Sequence, residues 1–172
     1  MNGEKIFLRP LQETDIPQTL EWMNDEEISD IMGYLPVKTL AEQLNWFKTL
    51  ISSQSKFVFA ICENNTKEHI GNVGLGNIDY IHRHAMFNIF IKNVENRSKG
   101  IGTDATSLIL KFAFNRLNLN KVYLRTSERF VEANKMYLKL GFQKEGVMRQ
   151  HYFTNGKYED KIIYSILKEE FQ

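Results

Sequence analysis

The residues best placed to do chemistry are concentrated in one short segment, "NRSKGIGTDA" at 96–105. Gly100 and Gly102 allow the backbone to approach a ligand closely and to adopt positive φ angles. Free amides at the start of a helix, together with the positive end of the helix dipole, form an anion-binding site. Arg97 and Lys99 add two full positive charges beside it. The segment therefore predicts a loop that binds phosphate groups where a helix begins.

Several kinds of protein use such a loop. "GIGTDA" fits G-x-G-x-x-A, the fingerprint of nicotinamide dinucleotide binding, but that fold needs the loop directly behind the first of several parallel strands. Here a run of antiparallel strand patterns precedes the loop. The nucleotide triphosphate loop needs its lysine after the glycines, whereas Lys99 precedes them. An ordinary glycine-rich helix entry with solvated basic residues is the remaining alternative.

The elements that must position this loop can be read from hydrophobic periodicity. "KIFLR" predicts a strand closed by Pro10, and helices follow over "ETDIPQTLEWMND" (capped by Thr14 or Asp15) and "TLAEQLNWFKTLISS", where Thr39 and Glu42 form a capping box. Between them, "EEISDIMGYLPV" predicts either a short helix with a loop or a mobile flap. "KFVFAICE", "HIGNVGLGNID" and "HAMFNIFIK" predict an antiparallel three-strand meander.

After the glycine loop, a helix is expected from Thr103 to Leu117, then a strand, "KVYLRT", and a helix, "RFVEANKMYLKLGF", stopped by Gly141. Asn155-Gly156 predicts a hairpin turn between "RQHYF" and "KYEDKIIYSIL". The predicted fold class is α/β (α+β): a mixed, mostly antiparallel sheet with one βα unit built on the loop.

Composition narrows the function class. The chain has 172 residues, the size of one domain, so a single domain over 1–172 is predicted. Its 22 basic and 21 acidic residues nearly cancel, which argues against a nucleic-acid partner. A single cysteine, Cys62, excludes an intrachain disulfide and a Cys-rich zinc site, and no metal site is predicted. No apolar signal segment or membrane span is present in the sequence, so we expect a cytoplasmic protein with no membrane partner.

The loop and its context resemble the GNAT superfamily of N-acetyltransferases. Its motif A is a [QR]-x-x-G-x-[GA] loop, matched here by Arg97, Gly100 and Gly102, after the strand "FNIFIK". Further stretches resemble the branch that contains ribosomal-protein N-terminal acetyltransferases: "LRPLQETD", "EWMNDEE", "IGNVGL", "YLKLGFQKEG" and "GKYEDKIIYSIL". The resemblance runs nearly from end to end.

The resemblance implies acetyl-CoA as cofactor and helices on both faces of a sheet with a splayed cofactor-binding strand. The exposed backbone of Ile89, Phe90 and Ile91 would pair with the pantetheine arm, as a strand edge pairs with a missing strand. The amides of the loop would hold the pyrophosphate. These cofactor-binding residues are Arg97, Ser98, Lys99, Gly100, Ile101, Gly102 and Thr103.

The resemblance also implies a general acid, Tyr137 in "NKMYLKLGF", which would protonate the leaving thiolate. A packing role for this aromatic ring is the alternative.

Two positions depart from the family. Phe130 stands where an Asn usually contacts the cofactor arm, and Asn134, one turn later, could substitute for it. Met86 stands where relatives often carry an acidic residue, so a carboxylate base on that strand is missing.

Local patterns say little about the substrate that would accept the acetyl group. "EWMNDEEISDIMGYLP" and "QHYFTNGKYED" are expected to line its pocket, and His82 and His84 are candidates for a base near the meander turn. Aromatic and carboxylate side chains suit a cationic amine, whether a polyamine, an amino sugar, an aminoglycoside or a protein N-terminus. The candidate substrate residues are Trp22, Glu26, Tyr34, His82 and Tyr152.

The leading function from the sequence is therefore an acetyl-CoA-dependent N-acetyltransferase acting on a primary amine. A non-catalytic acyl-CoA-binding module on the same fold is one alternative, with Phe130 and Met86 as signs of lost chemistry. A nicotinamide oxidoreductase is another. A homodimer through the C-terminal hairpin or the helical edge is compatible with the sequence.

Overall fold

The described part of the chain, residues 1–92, 100–154 and 156–171 of a computed structural model, forms seven strands and five α-helices. The strands are β1 Ile6–Pro10, β2 Phe57–Glu63, β3 His69–Asp79, β4 His84–Ile91, β5 Lys121–Thr126, β6 Gln143–Thr154 and β7 Lys157–Leu167. The helices are α1 Ile16–Met23, α2 Glu26–Met32, α3 Leu40–Ser52, α4 Ile101–Asn115 and α5 Val131–Lys139. Single 3-10 turns precede α1 and follow β7.

All seven strands belong to one sheet in the order β1-β2-β3-β4-β5-β7-β6. Each neighbouring pair is antiparallel except β4 and β5, which are parallel and flank the crossover through α4. β7 lies inside β6 because it pairs with β5 as well as with its own hairpin partner. The predicted fold class, a mixed and mostly antiparallel sheet, is confirmed.

Helices cover both faces of the sheet. Ile61 of β2 is buried in the main core, which also contains the apolar stripe of α4, including Ala105 and Ile109. Its neighbours Ala60 and Cys62 point to the other face, where they pack against α1 and α3. Alternation along β2 thus separates two cores on opposite faces, and Cys62 is a buried free thiol.

The structure refines several local predictions. The segment predicted as a helix or a flap contains the short helix α2, whose N-cap Asp25 accepts a hydrogen bond from the Ile28 amide. Asp15 makes no side-chain cap hydrogen bond to α1, because its carboxylate binds Arg9 and the Gln12 amide instead. The Thr39–Glu42 capping box of α3 is present.

Other predictions concern where helices and strands begin and end. α4 starts at Ile101 and ends at Asn115, two residues before the expected Leu117. The C-terminal strands form the expected hairpin, in which Thr154 pairs with Lys157. In the described ranges, no helix has the length and apolar character needed to cross a bilayer. Asn155, Arg97, Ser98 and Lys99 lie outside the described residues.

Candidate active site

The sheet divides at the point where its two parallel strands separate. β4 stays paired with β3 along its length, from Asp79–His84 to Gly71–Ile91. Its described pairing with β5 covers only three residue pairs, the last being Met86 with Tyr123. Beyond that point β5 continues beside β7 to Thr126. The two strands therefore splay apart, as the resemblance implied, and open a cleft of about 1020 Å³ between them.

The cleft reaches both faces of the sheet. Phe87 of β4 points toward α5, where its ring packs against Tyr137 at 6.2 Å. Phe90, three positions on, points to the opposite face and packs against Trp22 of α1 at 5.7 Å. Residues from both sides line the cleft, Tyr137 from α5 and Met32 from α2. The gap is thus a passage through the sheet, with a face toward α4 and α5 and a face toward α2.

The start of α4 borders the first of these faces. Gly100 has a φ of 81°, the left-handed conformation that suits glycine, and α4 begins at the next residue. Gly102 and Thr103 also line the cleft, whereas the side chain of Ile101 is buried in the core. A Cβ added to Gly102 would lie 3.1 Å from Met136 Sδ, so a glycine here lets α4 and α5 approach each other.

Ile89, Phe90 and Ile91 line the cleft along the β4 edge, and Tyr137 lines its α5 wall. The tyrosine is only 7 % exposed, and its ring also contacts Phe142 and Tyr164. Burial raises the pKa of its hydroxyl above the ordinary value. The hydroxyl is therefore protonated over the neutral pH range, which a general acid requires.

Phe130 and Asn134 occupy different surroundings. Phe130 lines the cleft, and the Arg129 guanidinium lies 4.6 Å from its ring centroid. Asn134 is buried and does not line the cleft; its Nδ2 donates to the Ser127 carbonyl at 2.9 Å, which ties α5 to the preceding loop. Its Oδ1 has no hydrogen-bond partner among the described residues. The cofactor contact of Asn134 stays a prediction.

The opposite end of the cleft is built around Asp30 of α2. Its carboxylate accepts from Arg129 at 2.5 Å and from Thr154 at 2.5 Å, and its backbone carbonyl accepts from the Tyr152 hydroxyl at 2.8 Å. The hydrogen bond from Arg129 holds the pKa of Asp30 below its usual value. Arg129 also contacts Glu159 at 3.3 Å. One carboxylate thus joins α2, the β5–α5 loop and β6 beside the cleft.

Of the five candidate substrate residues, only Tyr152 lines the cleft. Trp22 is buried behind Phe90, and Tyr34 donates its hydroxyl to Met23 Sδ at 2.6 Å. Glu26 is exposed in the first turn of α2, and His82 lies on the exposed turn at the other end of β4, stacked against His84. Their roles in acceptor binding stay predictions, made for positions outside the cleft.

Sequence reasoning missed three residues that the fold brings to this end: Asp30, Arg129 and Lys161. Lys161 is 9 % exposed, lines the cleft, and places its Nζ 3.8 Å from the centroid of the Tyr152 ring. One sequence signal could have revealed it. In "KIIYSIL", inside β7, a lysine stands directly before a largely apolar run, on the strand face that it shares with Ile163 and Ser165.

Comparison with known proteins shows to which family a chain with this cleft belongs. The sequence profile of the acetyltransferase (GNAT) domain matches residues 5–143, most of the chain. The chain belongs to the GNAT acetyltransferase family. Spermidine N(1)-acetyltransferase of Escherichia coli K12 is 30 % identical over 171 residues, which cover 99 % of this chain and 90 % of that protein.

A solved structure is similar throughout. The spermidine N-acetyltransferase of Vibrio cholerae, in complex with CoA and spermine, superposes with a TM-score of 0.91 at 29 % identity, covering 96 % of this chain and 97 % of the other. A putative ribosomal N-acetyltransferase of Bacillus subtilis, YdaF, is 31 % identical over 102 residues, covering 59 % of this chain and 55 % of that protein. The predicted superfamily is thus confirmed, while similarity extends to more than one of its branches.

This GNAT protein is an N-acetyltransferase, and acetyl-CoA is its acetyl donor. The membership also decides between the functions left open by the sequence. It excludes the nicotinamide oxidoreductase, whose parallel sheet is absent from the described fold, and it favours a catalytic protein over a binding module.

Proposed function

We propose that this N-acetyltransferase transfers the acetyl group of acetyl-CoA to a primary amine of a polyamine. The observation that carries the proposal is the passage between β4 and β5, with Tyr137 on one wall and an open acceptor end bordered by α2. The acceptor class is supported by full-length similarity to spermidine N-acetyltransferases, one of them solved with CoA and spermine.

The donor is held, in this proposal, by backbone groups. Five residues of β4 lie beyond its last pair with β5, and at about 3.3 Å per residue they form an edge roughly 16 Å long, suited to an amide-bearing arm. The edge leads toward the start of α4, where Gly100, Gly102 and Thr103 place amides at the positive end of the helix. The parts assigned to Arg97, Ser98 and Lys99 continue as sequence predictions.

Tyr137 supplies the proton for the leaving group. Acetyl transfer forms a nitrogen–carbon bond and breaks the carbon–sulfur bond of the thioester, which leaves a thiolate that must be protonated. Tyr137 lines the cleft and its hydroxyl is protonated at neutral pH, so it can donate to the sulfur. Because the residue is buried among aromatic rings, its orientation is held by packing.

The acceptor end combines apolar and acidic groups. Ile31 and Met32 contribute apolar surface to the cleft, which suits the methylene chain of a polyamine. The Asp30 and Glu159 carboxylates both contact Arg129 and balance its charge, so a cation can approach the cleft without meeting an unopposed guanidinium.

A thiol-release assay with an amine panel tests the acceptor. Spermidine, spermine, glucosamine, an aminoglycoside and a short peptide with a free N-terminus are compared at saturating acetyl-CoA. We expect the highest kcat/KM for spermidine or spermine. Another class exceeding both by about tenfold or more, a difference of ~1.4 kcal/mol in the barrier, would replace the polyamine as the acceptor.

The donor site is tested separately with Gly100→Val. A β-branched side chain at a φ of 81° is strained by about 1–2 kcal/mol, and its Cβ would also lie 3.1 Å from Lys5 Nζ. We expect a folded protein, by circular dichroism, whose CoA affinity is lost in calorimetry. Unchanged affinity would remove the glycine turn from the donor site.

A further inference from the structure

We propose that Lys161, in its neutral form, is the general base that takes a proton from the acceptor ammonium. This rests on the acetyl transfer proposed above. The sequence offered His82 and His84 for this step, but neither is among the described residues that line the cleft. An amine must lose its proton before it can attack a thioester carbonyl, because the ammonium has no free electron pair. The carboxylate that relatives often carry is replaced by Met86, whose sulfur accepts instead from Arg125 at 3.6 Å.

Sheet register places Lys161 on the acceptor side of the passage. Met86 of β4 pairs with Tyr123 of β5, so these two side chains share a face. Tyr123 pairs in turn with Ser165 of β7, and Lys161 lies four residues before it on the same strand face. Lys161 therefore lies on the face where the missing carboxylate would stand, opposite the face of Tyr137.

Several other titratable groups that line the cleft fit the task less well. Arg125 and Arg129 cannot lose a proton in proteins. Glu132 on α5 is exposed and paired with Lys135 at 2.9 Å, on the donor side. The Tyr152 hydroxyl already donates to the Asp30 carbonyl.

The surroundings of Lys161 favour loss of its proton. The charged groups around it are Arg129 of the β5–α5 loop, Glu159 of β7, Asp30 of α2 and Arg125 of β5, two of each sign. Burial is the main influence and lowers the pKa of Lys161, and the Arg129 charge lowers it further. The Tyr152 ring, 3.8 Å from Lys161 Nζ, attracts the ammonium form and so opposes the effect of burial, while it positions the side chain beside the cleft.

Lys161 and Tyr137 together account for every proton that moves in the reaction. Lys161 Nζ accepts one proton from the acceptor ammonium and later releases it to solvent. The freed amine forms the nitrogen–carbon bond as the carbon–sulfur bond breaks. Tyr137 gives its hydroxyl proton to sulfur and regains the second proton from nitrogen, through water. The net products are the acetylated amine, CoA thiol and one solvent proton.

Two substitutions separate a base from a cation or a packing residue. Lys161→Met keeps the length of the side chain without a basic atom, and Lys161→Arg keeps the charge but cannot act as a base. We expect both to lower kcat by about 10²–10⁴-fold, the range typical of a lost acid or base, with CoA affinity unchanged in calorimetry. Lys157→Met, an exposed position on the same face of β7, is the matched control and is expected to leave kcat unchanged.

The assay uses whichever amine gives the highest kcat/KM in the panel, so a result against polyamines leaves this test intact. The titration of Lys161 is measured directly in the whole protein by NMR of ¹³Cε-lysine, its signal identified by its absence in Lys161→Met. We expect a midpoint below those of the exposed lysines, and an acidic limb in the wild-type kcat profile that Lys161→Met lacks.

Rescue by arginine would assign a charge-binding role to Lys161 and overturn the proposal. So would a lysine signal that titrates with the exposed lysines. A loss of kcat in His151→Gln with Lys161→Met unaffected would move the base to His151, which also lines the cleft.

Discussion

The hydroxyl of Tyr137 can be removed without disturbing the ring that carries it. The ring contacts Phe87, Phe142 and Tyr164, with centroid distances of 6.2, 5.6 and 6.3 Å, and Tyr137→Phe retains all three contacts. A neutral hydrogen bond contributes about 1 kcal/mol to stability, so the free energy of unfolding should fall by ~1 kcal/mol at most. This change isolates the chemistry of the hydroxyl from the packing of the ring.

The expected kinetic effect is much larger than the effect on stability. Loss of a general acid lowers kcat by about 10²–10⁴-fold, which corresponds to roughly 3–5 kcal/mol in the barrier. The measurement is CoA thiol release at saturating acetyl-CoA and acceptor, with unfolding in urea and CoA calorimetry on the same samples. CoA affinity should stay the same, because the ring still lines the cleft.

Tyr164→Phe is the matched control. Tyr164 is equally buried and touches the Tyr137 ring, yet it is not among the described residues that line the cleft. It should keep kcat within about a factor of two, since it supplies no proton. If Tyr137→Phe loses no more activity than Tyr164→Phe, Tyr137 is a packing residue and its assignment as the acid is refuted.

Two further predictions concern the frame around the cleft. Gly71→Ala would place a Cβ 2.3 Å from the Phe90 carbonyl oxygen. It should lower the free energy of unfolding by about 1–3 kcal/mol and weaken CoA binding in calorimetry. Gly146→Ala, which has open space around its Cβ, is the control and should change neither quantity. Asp15→Asn should cost about 2 kcal/mol in urea unfolding. Burial alone would raise the pKa of Asp15. The hydrogen bonds from Arg9 and from the Gln12 amide, together with the charge of Arg9, outweigh burial and hold that pKa below its usual value. The stability contributed by the ionised Asp15 carboxylate is present above the unfolded-state pKa and is lost as pH falls through the folded-state pKa. The unfolding free energies of the wild type and Asp15→Asn should therefore converge in acid. A difference that stays constant with pH would contradict the assignment.

Much of the fold was accessible from local patterns. The capping box at Thr39, the strand end at Pro10 and the glycine turn before α4 each depend on residues a few positions apart, where side chain and backbone interact directly. The position of α2 was only one of two alternatives, because its seven residues give a weak periodic signal.

The end of the cleft around Asp30 was not accessible in that way. Thr154 reaches Asp30 across 124 positions of sequence, and Arg129 reaches it across 99. No local spacing encodes such contacts, because they exist only once α2, the β5–α5 loop and the hairpin come together beside the cleft. For the same reason Trp22 and His82, which suited an amine by residue type, lie away from the cleft.

The sequence by itself determined the family, the order of the elements and the glycine turn, since these follow from periodicity and from residues that only one backbone geometry accommodates. Tertiary structure alone decided where β4 separates from β5, that β7 lies inside β6, and that Lys161 lines the cleft. Strand register is a long-range property: it is set by how both faces of the sheet are buried together, and a shift of one residue would turn every side chain of a strand to the other face.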